Sequence, residues 1–228
     1  MILENYFYNG QFYKCFSEAT KQDDEVAKKF LGLFENYQYD KLPRYTKTDD
    51  EQSVERADES YAELDELQRI RAIQDEAAFG EAIKQLESDA KLADDERKAA
   101  SLFIQGHLFL LAHHYDESIH CFLQAVKYNP NKALYHGFAA QTMHRFNWSP
   151  FEVMAYLEQA IDLDPHNARW LWNKGLVLTQ LYKDLQQEPF LEQALITLEE
   201  ALAACREEQK SVRSAIDNTL ENMREYVF

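Results

Sequence analysis

Residues 99 to 132 read AASLFIQGHLFLLAHHYDESIHCFLQAVKYNPNK, and their spacing decides the fold. Leu102, Gly106 and Phe109 recur at intervals of four and three, as do Ser118, Phe122 and Ala125. Each set therefore lies on one face of a helix with 3.6 residues per turn. The polar break around His113 and His114 separates the two faces. Tyr128-Asn129-Pro130 ends the second helix, because a proline disfavours helical geometry in the residue before it. The stretch predicts a helical hairpin. Gly106 is small enough to let the second helix approach the first, Phe109 and Phe122 fill the space between them, and Ala125 accepts a neighbouring unit.

The same plan recurs downstream. Residues 133 to 167 carry Ala140, Met143, Val153, Leu157 and Ala160 before Leu163-Asp164-Pro165. The extra residue of this unit fits the turn Asn147-Trp148-Ser149-Pro150, where Ser149 is expected to cap the next helix and Pro150 to sit at its first position. A third unit opens at Ala168 to Leu181 with Gly175 in the place of Gly106, and closes on Ala194, Leu198 and Ala201 within Glu192 to Cys205. Its second helix comes seven residues late, so an insertion is expected near 182–189, as two further helical turns or a protruding loop.

A helix-turn-helix repeat of about 34 residues with these small and aromatic positions resembles the tetratricopeptide repeat (TPR) family over residues 99–205. The resemblance implies an all-α fold: a right-handed α-solenoid of TPR-like helix pairs with a C-terminal capping helix. It also implies a concave face, built by the first helix of each pair, that binds a peptide or helix of another protein. In the repeat pattern the groove positions fall on Phe103, His107 and Leu110, then Leu134, Gln141, His144 and Arg145, then Arg169, Trp172, Leu176 and Thr179. This set contains bases and aromatics but no acid, where 40 acids among 228 residues would place about two. It suits an apolar and acidic ligand anchored on Trp172 and Phe103, with Arg145 and Arg169 pairing its carboxylates. The family's two-carboxylate clamp for chaperone tails is not matched. Its positions hold Phe103, His107, Phe138, Arg169 and Asn173, of which only Arg169 keeps the charge.

Outward from the array, Phe79-Gly80-Glu81-Ala82-Ile83 with Leu86 lies on Tyr115-Asp116-Glu117-Ser118-Ile119 with Phe122 at an offset of 36. Residues 67–98 therefore read as a degenerate TPR-like pair with Leu67, Ile70 and Ile73 in its first-helix core. Asp89 replaces the alanine, and no proline follows. Residues 1–48 read as an aromatic-rich N-terminal helical hairpin. Residues 49–66 hold nine acids against one basic residue, Arg56, and read as an acidic linker and helix start. Residues 206–228, with Val212, Ile216, Leu220 and Met223 at helical spacing, read as the amphipathic capping helix that repeat arrays need for solubility.

Composition narrows the function. Lys and Arg number 24 against 40 Asp and Glu, a net charge of −16 that repels phosphate backbones, so nucleic acid is not an expected partner. No apolar run approaches the roughly 18 residues of a membrane span. Cys15, Cys121 and Cys205 are odd in number and unpaired in spacing, which reads as free thiols and a cytoplasmic protein. Six glycines leave no room for a phosphate-cradling loop, and no nucleophile elbow is present. His107, His113, His114 and His120 lack the i, i+4 spacing with an acidic partner that a helical zinc site uses. The expectation is a non-enzymatic protein-interaction module or adaptor, without metal or cofactor, that binds a protein or peptide in its groove. The alternatives are a structural subunit of a larger scaffold or coat-like assembly, or an enzyme-associated regulatory repeat domain.

Overall fold

A computed structural model describes residues 2–37, 39, 62–207 and 209–224. Most of the acidic stretch read over 49–66, up to residue 61, and the last four residues of the capping helix lie outside the described residues. Among the described residues every regular element is a helix, so the fold is all-α and built from helix pairs. The chain divides into two compact units. One is continuous, Pro43–Thr142. The other is discontinuous, joining Met1–Leu42 to Met143–Phe228.

The continuous unit contains α4 (Ala62–Arg71), α5 (Glu76–Leu92), α6 (Asp95–Leu111), α7 (Tyr115–Tyr128) and the larger part of α8 (Ala133–Arg145). Aspartates start two of these helices. Asp75 accepts a hydrogen bond from the Ala78 amide at 2.8 Å and Asp94 one from the Arg97 amide at 3.0 Å, each satisfying a first-turn donor. His113, at φ 63°, makes the tight turn between α6 and α7. The α6–α7 hairpin is the tightest pair of this unit. A Cβ on Gly106 would lie 2.8 Å from the Phe122 ring, and Ser118 Oγ donates to the Gly106 carbonyl at 2.8 Å. α4 and α5 both pack on α6.

The discontinuous unit contains α1 (Ile2–Tyr8), α2 (Phe12–Ala19), α3 (Glu25–Phe34), α9 (Pro150–Leu163), α10 (Ala168–Leu185), α11 (Glu188–Ala204) and α12 (Lys210–Arg224). Its tight hairpin is α10–α11, where a Cβ on Gly175 would stand 2.6 Å from Leu198. The insertion near 182–189 is helix rather than loop. It lengthens both arms of the hairpin, which reverse at Gln186 in the left-handed conformation (φ 53°). Ser149 does not cap α9 as its sequence position suggests; its hydroxyl donates instead to the Tyr37 phenol at 2.9 Å. Pro150 starts the helix regardless, its fixed φ being suited to the first turn. α1 and α2 pack on α11 and α9 through an aromatic cluster centred on Phe7, Phe12, Phe34, Phe151 and Phe190. α12 covers α10 and α11, burying Ile216, Leu220 and Met223.

The two glycine seats make a direct test of the repeat register. Gly106→Leu or Gly175→Leu should cost about 1 to 3 kcal/mol by overpacking, because Phe122 and Leu198 are fully buried and have little room to move. Gly80→Ala, at a helix position with nothing within 4 Å of the new Cβ, should instead stabilise by about 0.5 to 1 kcal/mol. Urea melts of the three variants check both signs; equal responses at Gly106 and Gly80 would mean that the register is wrong.

Candidate functional site

The groove positions read from the repeat pattern divide between the two units. In the continuous unit, Phe103 is fully buried, its ring 5.2 Å from Tyr135, 5.4 Å from Phe138 and 5.6 Å from Phe122. It is a core residue here and not a ligand anchor. Leu134 is likewise buried, for a reason visible along α8: residues 133 to 140 are buried without a break, so the first half of that helix has no open face. His107 is half-buried, edge-on to Phe103 and Phe138 at 4.7 and 4.6 Å. Leu110 and Gln141 are half-buried.

In the discontinuous unit, Arg145 is exposed and lies over the Phe146 ring at 5.8 Å. His144 is half-buried, and burial lowers its pKa, so its ring is neutral near pH 7. Arg169 is half-buried in the first turn of α10. Asn167 caps that turn by accepting from the Arg169 amide at 3.1 Å. Trp172, Leu176 and Thr179 continue the same stripe. Trp172 Nε1 donates to Thr219 Oγ1 at 3.1 Å and Thr179 Oγ1 to Met223 Sδ at 3.2 Å, so α12 covers part of the stripe. Trp172 and Leu176 stay half-buried, while Thr179 is buried.

Two clusters, each built around a buried glutamate, lay beyond the sequence reading. In the continuous unit, Glu63 is 6% exposed and accepts from Lys132 Nζ and, at 2.7 Å, from the Tyr135 hydroxyl. Burial raises its pKa, but these two bonds outweigh that and hold the carboxyl below its ordinary range. Glu63 lies in the stretch read as an acidic linker and helix start, and a charge count along the chain carries no information on which acid meets a cation.

In the discontinuous unit, Glu158 accepts a hydrogen bond from the Tyr13 amide at 2.9 Å, and Lys14 pairs with Asp162 at 3.1 Å. Burial pushes the Glu158 carboxyl well above the carboxylate range, against the pull of Lys174 and Lys14. The available signal was the position itself: Glu158 interrupts a stretch from Val153 to Ala160 that is otherwise largely apolar. Both clusters join segments distant in sequence, and both are consumed by that role. The thiols are buried too, which pushes Cys15 up to about 12 and Cys121 to about 11. Among the described residues no three His, Cys, Asp or Glu side chains are placed to hold a metal ion, and no helix is long and apolar enough to cross a membrane.

No family model and no curated protein matches the sequence. Among solved structures the chain is similar to the TPR2AB domain in its pHSP90 complex from yeast Sti1, with 16% identity over 97% of this chain and 83% of that one, at a TM-score of 0.48.

Proposed function

We propose that the protein is a non-enzymatic interaction module that holds an apolar and acidic segment of a partner protein on the first-helix positions of its discontinuous unit. The observation that supports this reading is the charge of those positions. His144, Arg145, Arg169, Trp172 and Leu176 include two arginines and no acid, in a chain with 40 acidic and 24 basic residues. Arg145 would meet the carboxylates of the segment first, being the exposed member, and guanidinium groups suit that task through bidentate hydrogen bonding. Trp172 and Leu176 supply the apolar contact. The indole N–H is already engaged by Thr219, so it is the remaining ring surface that would be covered. Phe103, His107, Leu134 and Gln141 have no part in this reading: two are buried, and all four belong to the continuous unit.

Selection of displayed random peptides on the full chain tests the proposal. Enriched peptides should place Asp or Glu beside an apolar residue. The double reversal Arg145→Glu, Arg169→Glu should weaken their binding about a hundredfold, each charged contact being worth on the order of 1.5 kcal/mol. Peptides that bind the reversed protein as well as the original would remove these positions from the site.

A further inference from the structure

The degenerate pair α4–α5 departs from the tight α6–α7 hairpin at three aligned positions. Ile70 stands where Gly106 admits its neighbour, Leu86 replaces Phe122, and Asp89 replaces Ala125. A fourth change removes the polar clasp, because Ala82 takes the place of Ser118, whose hydroxyl bonds the Gly106 carbonyl. A side chain where contact needs none, a smaller filler and a charge in place of a methyl group all keep the two helices from closing. Where the tight hairpin is filled, a cleft of about 190 Å³ opens between α4, α5 and α6. Ala82, Leu86, Ala100 and Ile104 form the apolar part of its lining, beside Ser101 and Gln85. A cavity of about 150 Å³ is enough to hold a benzene ring, so this one has room for a single large apolar side chain.

The rim carries four charges in two ion pairs, Arg69 with Glu66 on α4 and Arg97 with Asp89 across α5 and α6. Within each pair the cation stands further out. Arg69 and Arg97 side chains are 64% and 66% exposed, against 38% and 22% for Glu66 and Asp89. Asp89 is held down further by accepting from Gln85 Nε2 at 2.8 Å. A segment approaching the cleft therefore meets two guanidinium groups before it meets either carboxylate. Exposed pairs of this kind are weak, so their arginines can exchange partners at little cost.

We infer that the cleft between α4, α5 and α6 is a binding site for an acidic peptide segment, which inserts one large apolar side chain against Leu86, Ala100 and Ile104 and offers its flanking carboxylates to Arg69 and Arg97. The site lies wholly in the continuous unit and shares no residue with the interaction face proposed above. Its occupancy does not depend on that proposal.

Amide NMR spectra of the full-length protein, titrated with acetyl-Asp-Phe-Asp-amide, test it. Saturable shifts are expected at Leu86, Ala100 and Ile104. Acetyl-Lys-Phe-Lys-amide and acetyl-Asp-Ala-Asp-amide should each bind at least about tenfold more weakly, the first for want of charge and the second for want of the ring. Arg69→Gln with Arg97→Gln should weaken the acidic peptide about tenfold or more. Ala82→Leu, which fills the cleft without touching a charge, should abolish binding while leaving the melting temperature unchanged or raised. Substitution of Arg145 and Arg169 should leave these shifts as they are. Equal shifts with the lysine peptide, undiminished binding to the folded Ala82→Leu protein, or no saturable shift up to about 10 mM, the range of a weak single-side-chain contact, would overturn the assignment.

Discussion

Phe12→Ala should destabilise the discontinuous unit by about 3 to 5 kcal/mol, the range for emptying a buried aromatic site. Phe12 has no exposed surface, and its ring lies 4.8 Å from Phe151, 5.2 Å from Phe7 and 6.0 Å from Phe34. Those partners come from α1, α3 and α9, so the cavity opens where the N-terminal helices meet the second half of the chain. The surrounding rings are stiff and cannot close over it. Gly10 adds to the effect: it takes φ +65°, and a Cβ there would stand 3.0 Å from the Met154 side chain, so the chain just before Phe12 packs closely on α9. Urea denaturation followed by residue-level hydrogen exchange checks the prediction. Protection should fall in α1 to α3 and α9 together. A loss below about 1 kcal/mol would mean that the site collapses or that the N-terminal helices contribute little.

Acidification from pH 7 to 5 should cost the continuous unit about 2 kcal/mol, through His136. Its imidazole has no exposed surface, and the Nε2–H donates to the Pro130 carbonyl at 2.8 Å. Burial lowers its pKa from 6.5 to about 4. A base with a depressed folded pKa binds fewer protons folded than unfolded between those two values. Its contribution is therefore whole above pH 6.5 and is lost as pH falls toward 4. Glu63 does not interfere, since its carboxylate begins to lose its contribution only as pH falls through the unfolded value of 4.5. The discontinuous unit responds differently, because the raised carboxyl of Glu158 gains stability on acidification where His144 loses it. Hydrogen exchange in α7 and α8, corrected for intrinsic rates, isolates the effect. His136→Gln, neutral throughout, should flatten it. A slope unchanged by that substitution would assign the acid response to other groups.

Local features of the fold were legible in the sequence. The spacing of Gly106 and Gly175 against Phe122 and Leu198 marks the two tight hairpins, because a close approach requires a missing side chain at a defined helical interval. The departures at Ile70, Leu86 and Asp89 were equally readable, though only the structure shows that they open a cleft. What the pattern could not convey is burial contributed from elsewhere. Phe103 and Leu134 stand at positions that point into a groove in an ideal repeat, yet here they are core. Trp172 is partly covered by Thr219 because α12 folds back over α10. Periodicity reports the face of a helix and is silent on which distant segment arrives there. The ties of Tyr13 to Glu158 and of Glu63 to Lys132 are non-local in the same way, spanning 145 and 69 residues.

The discontinuous unit also sets an order of events at the ribosome. α1 to α3 leave the exit tunnel before the rest of the unit, carrying Phe7, Phe12, Phe30 and Phe34, while Phe151 and Phe190 are not yet made. At roughly 5 to 20 residues per second, the interval between Phe12 and Phe190 lasts about 10 to 40 seconds. During that time the continuous unit can complete itself, while the rings of α1 to α3 wait for their partners in α9 and α11. Closure of the cluster therefore waits for α9 and α11, long after its first four rings have been made.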